Sequence, residues 1–314
     1  MKKIRTAVIG VGYLGKFHAQ KYAHLENSEL IAVVDRDIKT AEKVAQSFNQ
    51  KIAVRAVTDY KELLGKVDAV SIASPTSLHY QIAKDFLENG SHVLIEKPIT
   101  VKVEEADELI ALAKKNNLLI QVGFLERFNA AILELDNLLT KPLFIESHRL
   151  APFNPRATDV NVVLDLMIHD IDIILNIVKS KLVAIAASGA EVLTESSDIV
   201  NARLEFENGC VANVTASRVS AKSERKMRIF EKSGCVTVDF QNRELGIYQK
   251  GDGVDQSGNP EIVSHKKIFE NNDALQTEII AFLNSITSNT PTLVSGEDGR
   301  NALDTAIKIS KLLE

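Results

Sequence analysis

Three short stretches of this 314-residue chain bring together glycines, carboxylates, a lysine and a histidine in patterns suited to a reaction site. "AVIGVGYLGKFH" carries Gly10-x-Gly12-x-x-Gly15. Such glycines let a backbone turn tightly and approach a pyrophosphate in front of a helix N-terminus. "SHVLIEKPIT" ends an apolar run on Glu96, Lys97 and Pro98. A surface strand end would be the ordinary explanation, but Pro98 restricts Lys97 to an extended backbone and so fixes where its amine points. A lysine facing a cationic ring in a partly dry cleft loses proton affinity and can relay a proton at neutral pH. "VVLDLMIHDIDIIL" sets Asp165 and His169 four apart on a helical pattern, a carboxylate and an imidazole stacked on one face. Asp172 falls on that same face, whereas Asp170 is rotated from it by about 100°. A helix histidine beside aspartates is otherwise a common structural pair, and what raises this one is the company of a dinucleotide loop and Lys97. A metal held by Asp165, His169 and Asp172 is chemically open, but a proton relay by a lysine and an imidazole needs none, so none is expected.

These residues need elements to hold them. Residues 1–123 alternate strand and helix patterns: "IRTAVIG", "ELIAVVD", "DAVSIAS", "HVLIEK" and "LLIQVG" are apolar runs, separated by helical stretches with short links. Runs that are apolar on both faces suit a parallel sheet covered by helices on both sides. The expectation is a Rossmann-type doubly wound α/β sheet. After Phe124 the pattern changes to a helix, a strand "LFIESHRLA", a Pro/Asn loop, a long helix from Asn161 to Val178, and then strand-like runs in succession. Turn signals at Asn208-Gly209 and Ser233-Gly234 join two pairs of them as hairpins. Residues 124–314 are therefore expected to form an α+β domain with a mainly antiparallel sheet, closed by helices near "ALQTEIIAFLNSI" and "GRNALDTAIKISKLL".

Within the first domain the glycine spacing has its required context of strand, glycines, helix, and a second strand ending in Asp35, 20 residues past Gly15. Gly10, Gly12, Tyr13, Leu14 and Gly15 would line the phosphates, and Asp35 would accept from an adenosine ribose hydroxyl. Asp35 repels a 2′-phosphate and favours NAD; Arg36 could attract one, which keeps NADP as the alternative. Ser74, Thr76, His79, Glu96 and Lys97 follow the carboxyl ends of neighbouring strands, where such sheets hold their ligand.

The glycine motif, the Ser74-Pro75-Thr76 region through His79, and Glu96-Lys97-Pro98 together resemble the glucose–fructose oxidoreductase/inositol dehydrogenase (Gfo/Idh/MocA) family. The resemblance runs over the whole chain. It implies NAD(P)-dependent dehydrogenation of a sugar or cyclitol hydroxyl, with Lys97 at the hydride-transfer site and Asp165 and His169 matching the family's Asp/His motif. The glycines usual before that Asp are replaced by Asn161-Val162-Val163-Leu164. One assignment has His169 take the proton, Lys97 hold the alkoxide and Asp165 orient His169; the opposite, with Lys97 as base, stays open. "GFLERFNAA" and "LDLMIHDID" resemble the nucleotide-sugar branch, which oxidises the 3-hydroxyl of UDP-N-acetylglucosamine, and Arg127, Arg149 and Arg156 would then suit a diphosphate. Homodimers or homotetramers are implied as well. A lyase or hydrolase using tightly bound NAD, and a non-catalytic dinucleotide sensor, are the alternatives. A sensor would need none of Lys97, Asp165 and His169.

Composition excludes other classes. The formal charge is −5 with no block of like charge, which argues against a nucleic-acid or anionic-membrane partner. Hydrophobic residues make up 45% and charged ones 25%, an ordinary globular balance. The two cysteines, Cys210 and Cys235, lack metal-type spacing and read as reduced thiols. The N-terminal apolar run is broken by glycines and has no cleavage site, and the most apolar later stretch carries several charges. A cytoplasmic protein is expected.

Overall fold

A computed structural model describes residues 3–48, 53–154, 160–254, 257–269 and 273–314 of the chain. β1 (Ile4–Ile9) is buried along nearly its whole length. Around it lie β2 (Ser28–Val34), β3 (Arg55–Val57), β4 (Ala69–Ile72), β5 (His92–Glu96) and β6 (Ile120–Gly123), in the spatial order β3-β2-β1-β4-β5-β6. Every pairing in this sheet is parallel. That is the doubly wound order, in which the strand sequence reverses beside β1 and opens a ligand crevice at the carboxyl ends of β1 and β4. Helices α1 (Gly15–His24), α2 (Ile38–Gln46), α3 (His79–Glu88) and α4 (Val103–Asn116) supply the crossovers. Asp37 caps α2 by accepting from the Lys39 amide, and Gly90 takes a left-handed conformation just beyond α3, at φ 83°, as a helix terminator should.

The second sheet contains β7 (Phe144–Leu150), β8 (Leu182–Ala190), β9 (Ile199–Phe206), β10 (Val211–Ser217), β11 (Glu224–Glu231), β12 (Gly234–Asp239), β13 (Glu244–Val254) and β14 (Pro260–Ile268). Its order is β14-β13-β12-β11-β7-β10-β9-β8, antiparallel except for the parallel contact of β7 with β10. Gly209, at φ 86°, makes the β9–β10 turn that its Asn-Gly pair announces. β13 and β14 escaped the sequence reading, because they are largely exposed and lack the buried alternation that marks a strand.

α5 (Ala130–Leu138), α6 (Ile168–Val178), α7 (Ala274–Ser288) and α8 (Gly296–Lys311) complete the elements. The expected α-helix over 161–178 is interrupted: Val163–Met167 form a π-helical turn ahead of α6. Such turns frequently mark functional positions.

Chain contacts divide the protein into one unit of Met1–Leu125 with Asp273–Leu303 and another of Glu126–Asn272 with Asp304–Glu314. A single break after residue 123 leaves out this return of the chain. Ile279, Phe282 and Leu283 of α7 belong to the same buried cluster as Val8, Tyr22, Val33 and Leu94, so the apolar face of α7 completes the first unit's core. Among the described residues, no helix is long and apolar enough to cross a membrane.

Candidate active site

The glycine loop is built by exclusion. Gly10 adopts φ 85°, and a Cβ there would stand 2.8 Å from the Ala73 carbonyl oxygen and the Ser74 nitrogen. At Gly15 a Cβ would collide with the Gly10 carbonyl, whereas one at Gly12 would meet nothing within 4 Å. Two glycines thus close the turn, and the third faces open space. The α1 N-terminus has no side-chain cap, since its N-cap is Leu14, and no acidic residue in its first turn. Free amides beside an open glycine cradle fit a dinucleotide pyrophosphate. Asp35 braces the loop, its Oδ2 accepting from the Val11 amide at 3.1 Å and its Oδ1 from the Asp37 amide at 3.1 Å. Tyr13, Leu14 and Arg36 are exposed.

Lys97 is half-buried at the end of β5, and its peptide bond to Pro98 is cis. Ser74 and Thr76 are half-buried beyond β4. The Ser74 hydroxyl oxygen is buried with no hydrogen-bond partner among the described residues, which leaves it available to a ligand. His79 has a different position from the cofactor contact expected of it. It is fully buried, with Nδ1 2.9 Å from the Pro98 carbonyl and Nε2 2.8 Å from the Ser74 carbonyl. It therefore ties together the segments that follow β4 and β5, and burial lowers its proton affinity. Glu96 likewise turns inward: Oε1 lies 3.0 Å from His18 Nε2, and Oε2 accepts from the Lys97 amide at 3.3 Å.

Behind Glu96 stands Glu278 of α7, fully buried, its carboxyl oxygens without hydrogen-bond partners among the described residues. Burial, with the nearby Glu96 charge second, pushes the Glu278 carboxyl well above the ordinary carboxylate range. Because the native state holds this proton and the unfolded chain releases it above about pH 4.5, the stability contribution is complete below that pH. It declines by about 1.4 kcal/mol per pH unit as pH rises towards the native value. Glu278→Gln is expected to remove the decline, so its denaturant midpoint should rise above that of the wild type progressively as pH increases beyond about 5. Parallel midpoint-against-pH curves would refute a protonated Glu278.

In the second unit, Asn161 Oδ1 accepts from the Leu164 amide at 3.0 Å, and the Asn161 carbonyl from the Asp165 amide at 3.0 Å, which starts the π-helical turn. Asp165 and His169 are both half-buried on this segment. Asp172, expected on their face, is buried against Arg127, with Arg127 Nη1 3.3 Å from its carboxylate. Asp170 is held by Arg149, whose Nε and Nη2 donate at 2.7 and 3.2 Å, while Nη1 reaches Glu126 at 3.0 Å.

Arg127 and Arg149 are thus engaged in buried ion pairs rather than presented to a diphosphate, because a guanidinium removed from water needs an anionic partner. Arg156 lies outside the described residues. Arg149→Met is expected to lower stability by about 3–5 kcal/mol by leaving Asp170 buried and unpaired, read from the denaturation midpoint. A normal midpoint with a raised substrate KM would return Arg149 to the ligand site.

His18 and Glu278 were missed in the sequence. The available signal was a histidine three residues past Gly15, on the inward face of α1, in a chain with a Glu at a strand end.

Comparison with known proteins matches residues 4–124 to "Oxidoreductase family, NAD-binding Rossmann fold" and residues 140–237 to "GFO/IDH/MocA C-terminal domain". A UDP-N-acetylglucosamine 3-dehydrogenase of Acidithiobacillus ferrooxidans is 40% identical over 315 residues, covering 100% of this chain and 98% of that protein. Its solved structure superposes with a TM-score of 0.93. A myo-inositol 2-dehydrogenase of Thermotoga maritima is 25% identical, over 99% of this chain and 96% of that one. A scyllo-inositol dehydrogenase of Lactobacillus casei, with a TM-score of 0.81 over 99% of this chain and 97% of that one, shares the fold at 22% identity.

Proposed function

The chain belongs to the Gfo/Idh/MocA family of NAD-dependent oxidoreductases acting on CH–OH groups, and from that premise we propose that its substrate is UDP-N-acetylglucosamine, oxidised at the 3-hydroxyl. The observation carrying this choice is the 40% identity, over the full length of both chains, to a UDP-N-acetylglucosamine 3-dehydrogenase.

Gly10, Gly12 and Gly15 and the uncapped amides of α1 would hold the cofactor's pyrophosphate. Asp35, whose negative charge opposes a 2′-phosphate, would face the adenosine ribose. NAD, when bound, supplies the nicotinamide ring that accepts the hydride. His169 takes the proton of the sugar hydroxyl, and Lys97 donates a hydrogen bond to the oxygen as it becomes anionic and then carbonyl. Asp165 orients His169 and stabilises its charged form. A role reversal, with Lys97 as base, uses the same groups. The products are the 3-keto sugar, reduced cofactor and one proton.

The second sheet's exposed apolar residues, among them Tyr248, Val254, Ile262 and Ile268, are read as a self-association face giving a homodimer or homotetramer, which light scattering would check. The free Cys210 and Cys235 accord with a reducing, cytoplasmic location.

The test is incubation with NAD and UDP-N-acetylglucosamine, free N-acetylglucosamine, myo-inositol or scyllo-inositol, following absorbance of reduced nicotinamide. Turnover of the UDP sugar above the others is expected. A cyclitol oxidised while the UDP sugar is idle would overturn the substrate, and sugar consumed without net reduced cofactor would point to redox-neutral chemistry instead.

A further inference from the structure

A buried hydrogen-bond chain ends on the residue that precedes Lys97. His18 is 1% exposed on α1, with Nε2 3.0 Å from Glu96 Oε1 and Nδ1 3.2 Å from Ser71 Oγ. The Ser71 hydroxyl, itself fully buried, lies 2.9 Å from the Tyr22 hydroxyl. A carboxylate only accepts, so Nε2 donates to Glu96; Nδ1 faces a hydroxyl, which can give or take a proton as the ring requires.

Glu96 has little room to turn away. Gly123 is its partner across β5 and β6, and a Cβ there would stand 3.0 Å from the Glu96 carboxyl. The Glu278 carboxyl closes a further side, with one side-chain nitrogen or oxygen from each of His18, Glu96 and Glu278 all within 4.8 Å of one another. The remaining Glu96 oxygen accepts from the Lys97 amide.

We propose that His18 is a positioning residue for the oxidoreductase reaction: it locks the Glu96 carboxylate as a bracket on the Lys97 amide, and so sets the direction in which Lys97 presents its amine. The inference rests on Lys97 being the catalytic lysine. A lysine side chain is long and flexible, so its reach is only as well aimed as the backbone it grows from, and an error of about 1 Å at a reacting group can cost about a hundredfold in rate.

The test is a cycle of His18→Leu, Lys97→Ala and the double variant, with NAD affinity and substrate KM measured alongside kcat. His18→Leu, close in volume but unable to donate, is expected to lower kcat by about 10- to 100-fold while NAD affinity and KM stay within about threefold. His18→Gln, whose amide can donate from nearly the same place, should recover much of that loss. In the Lys97→Ala background His18→Leu should add almost nothing, because both act through one group. Should His18→Leu fail to fold, Ser71→Ala frees the back of the ring without removing it and runs the same cycle at smaller amplitude.

Additive losses, a normal kcat in His18→Leu, or no recovery with Gln would overturn the positioning role. Stoichiometric zinc or manganese bound in the purified protein and lost in His18→Leu would do so too, since ligation would consume the same nitrogen. If instead Lys97→Ala itself turns over normally, the catalytic assignment of Lys97 fails, whatever His18 does.

Discussion

Lys97→Ala should turn over UDP-N-acetylglucosamine about a thousandfold more slowly than the wild type, with NAD affinity changed by no more than about threefold. The separation follows from where the residue sits. In the proposed site the cofactor cradle is formed by Gly10, Gly12, Gly15 and α1, none of which is built from the Lys97 side chain, so binding should survive its loss. What disappears is the only function the amine is assigned, stabilising or accepting the proton of the reacting hydroxyl, and groups in that role are worth about 10²–10⁴ in rate.

Lys97→Arg sharpens the test. A guanidinium keeps the charge but does not give up a proton near neutral pH. If Lys97 is the base, Arg should be nearly as slow as Ala; if it only holds an anionic oxygen, Arg should recover part of the rate. Single-turnover formation of reduced cofactor reports the chemical step directly. A Lys97→Ala enzyme within tenfold of wild type would end both versions.

The second large effect is expected at Gly15→Ala, where the new methyl would collide with the Gly10 carbonyl. That obstacle is backbone rather than the end of a flexible side chain. The loop must therefore move, at a cost of about 1–3 kcal/mol in stability, and the cradle moves with it. NAD affinity should fall by at least about a hundredfold, since a loss of roughly 2.7 kcal/mol in a shape-matched phosphate site is enough for that. Gly12→Ala makes the internal comparison. Its Cβ meets no protein atom within 4 Å, so it should fold with wild-type stability and weaken NAD only by crowding the ligand. Calorimetric titration with NAD and thermal melting of the two variants would separate these outcomes. Equal NAD affinity in Gly15→Ala and wild type would refute the cradle.

Much of the first unit was legible because its signals are local. An apolar run followed by Gly10-x-Gly12-x-x-Gly15 can form a strand, a turn and an uncapped helix start without reference to distant residues, and the structure places all three there. The hairpin at Asn208-Gly209 was legible for the same reason. The weakly patterned β13 and β14 were not, since strands largely exposed along their length carry little burial period. Nor was the return of α7 to the first unit. Its apolar face says that it packs, not against which sheet.

Local residue order announces the chemistry on offer: a dinucleotide loop, a lysine at a strand end, and a carboxylate and imidazole four residues apart. Which charges are drawn into buried pairs depended on the completed fold. Arg127 and Asp172, 45 residues apart, meet at 3.3 Å, as Arg149 and Asp170 meet at 2.7 Å, and His18 reaches across 78 residues to Glu96. The reason is range. Backbone turns and strand periods are settled by neighbours in sequence, whereas a charge taken out of water is stable only beside whatever partner the completed fold brings to it.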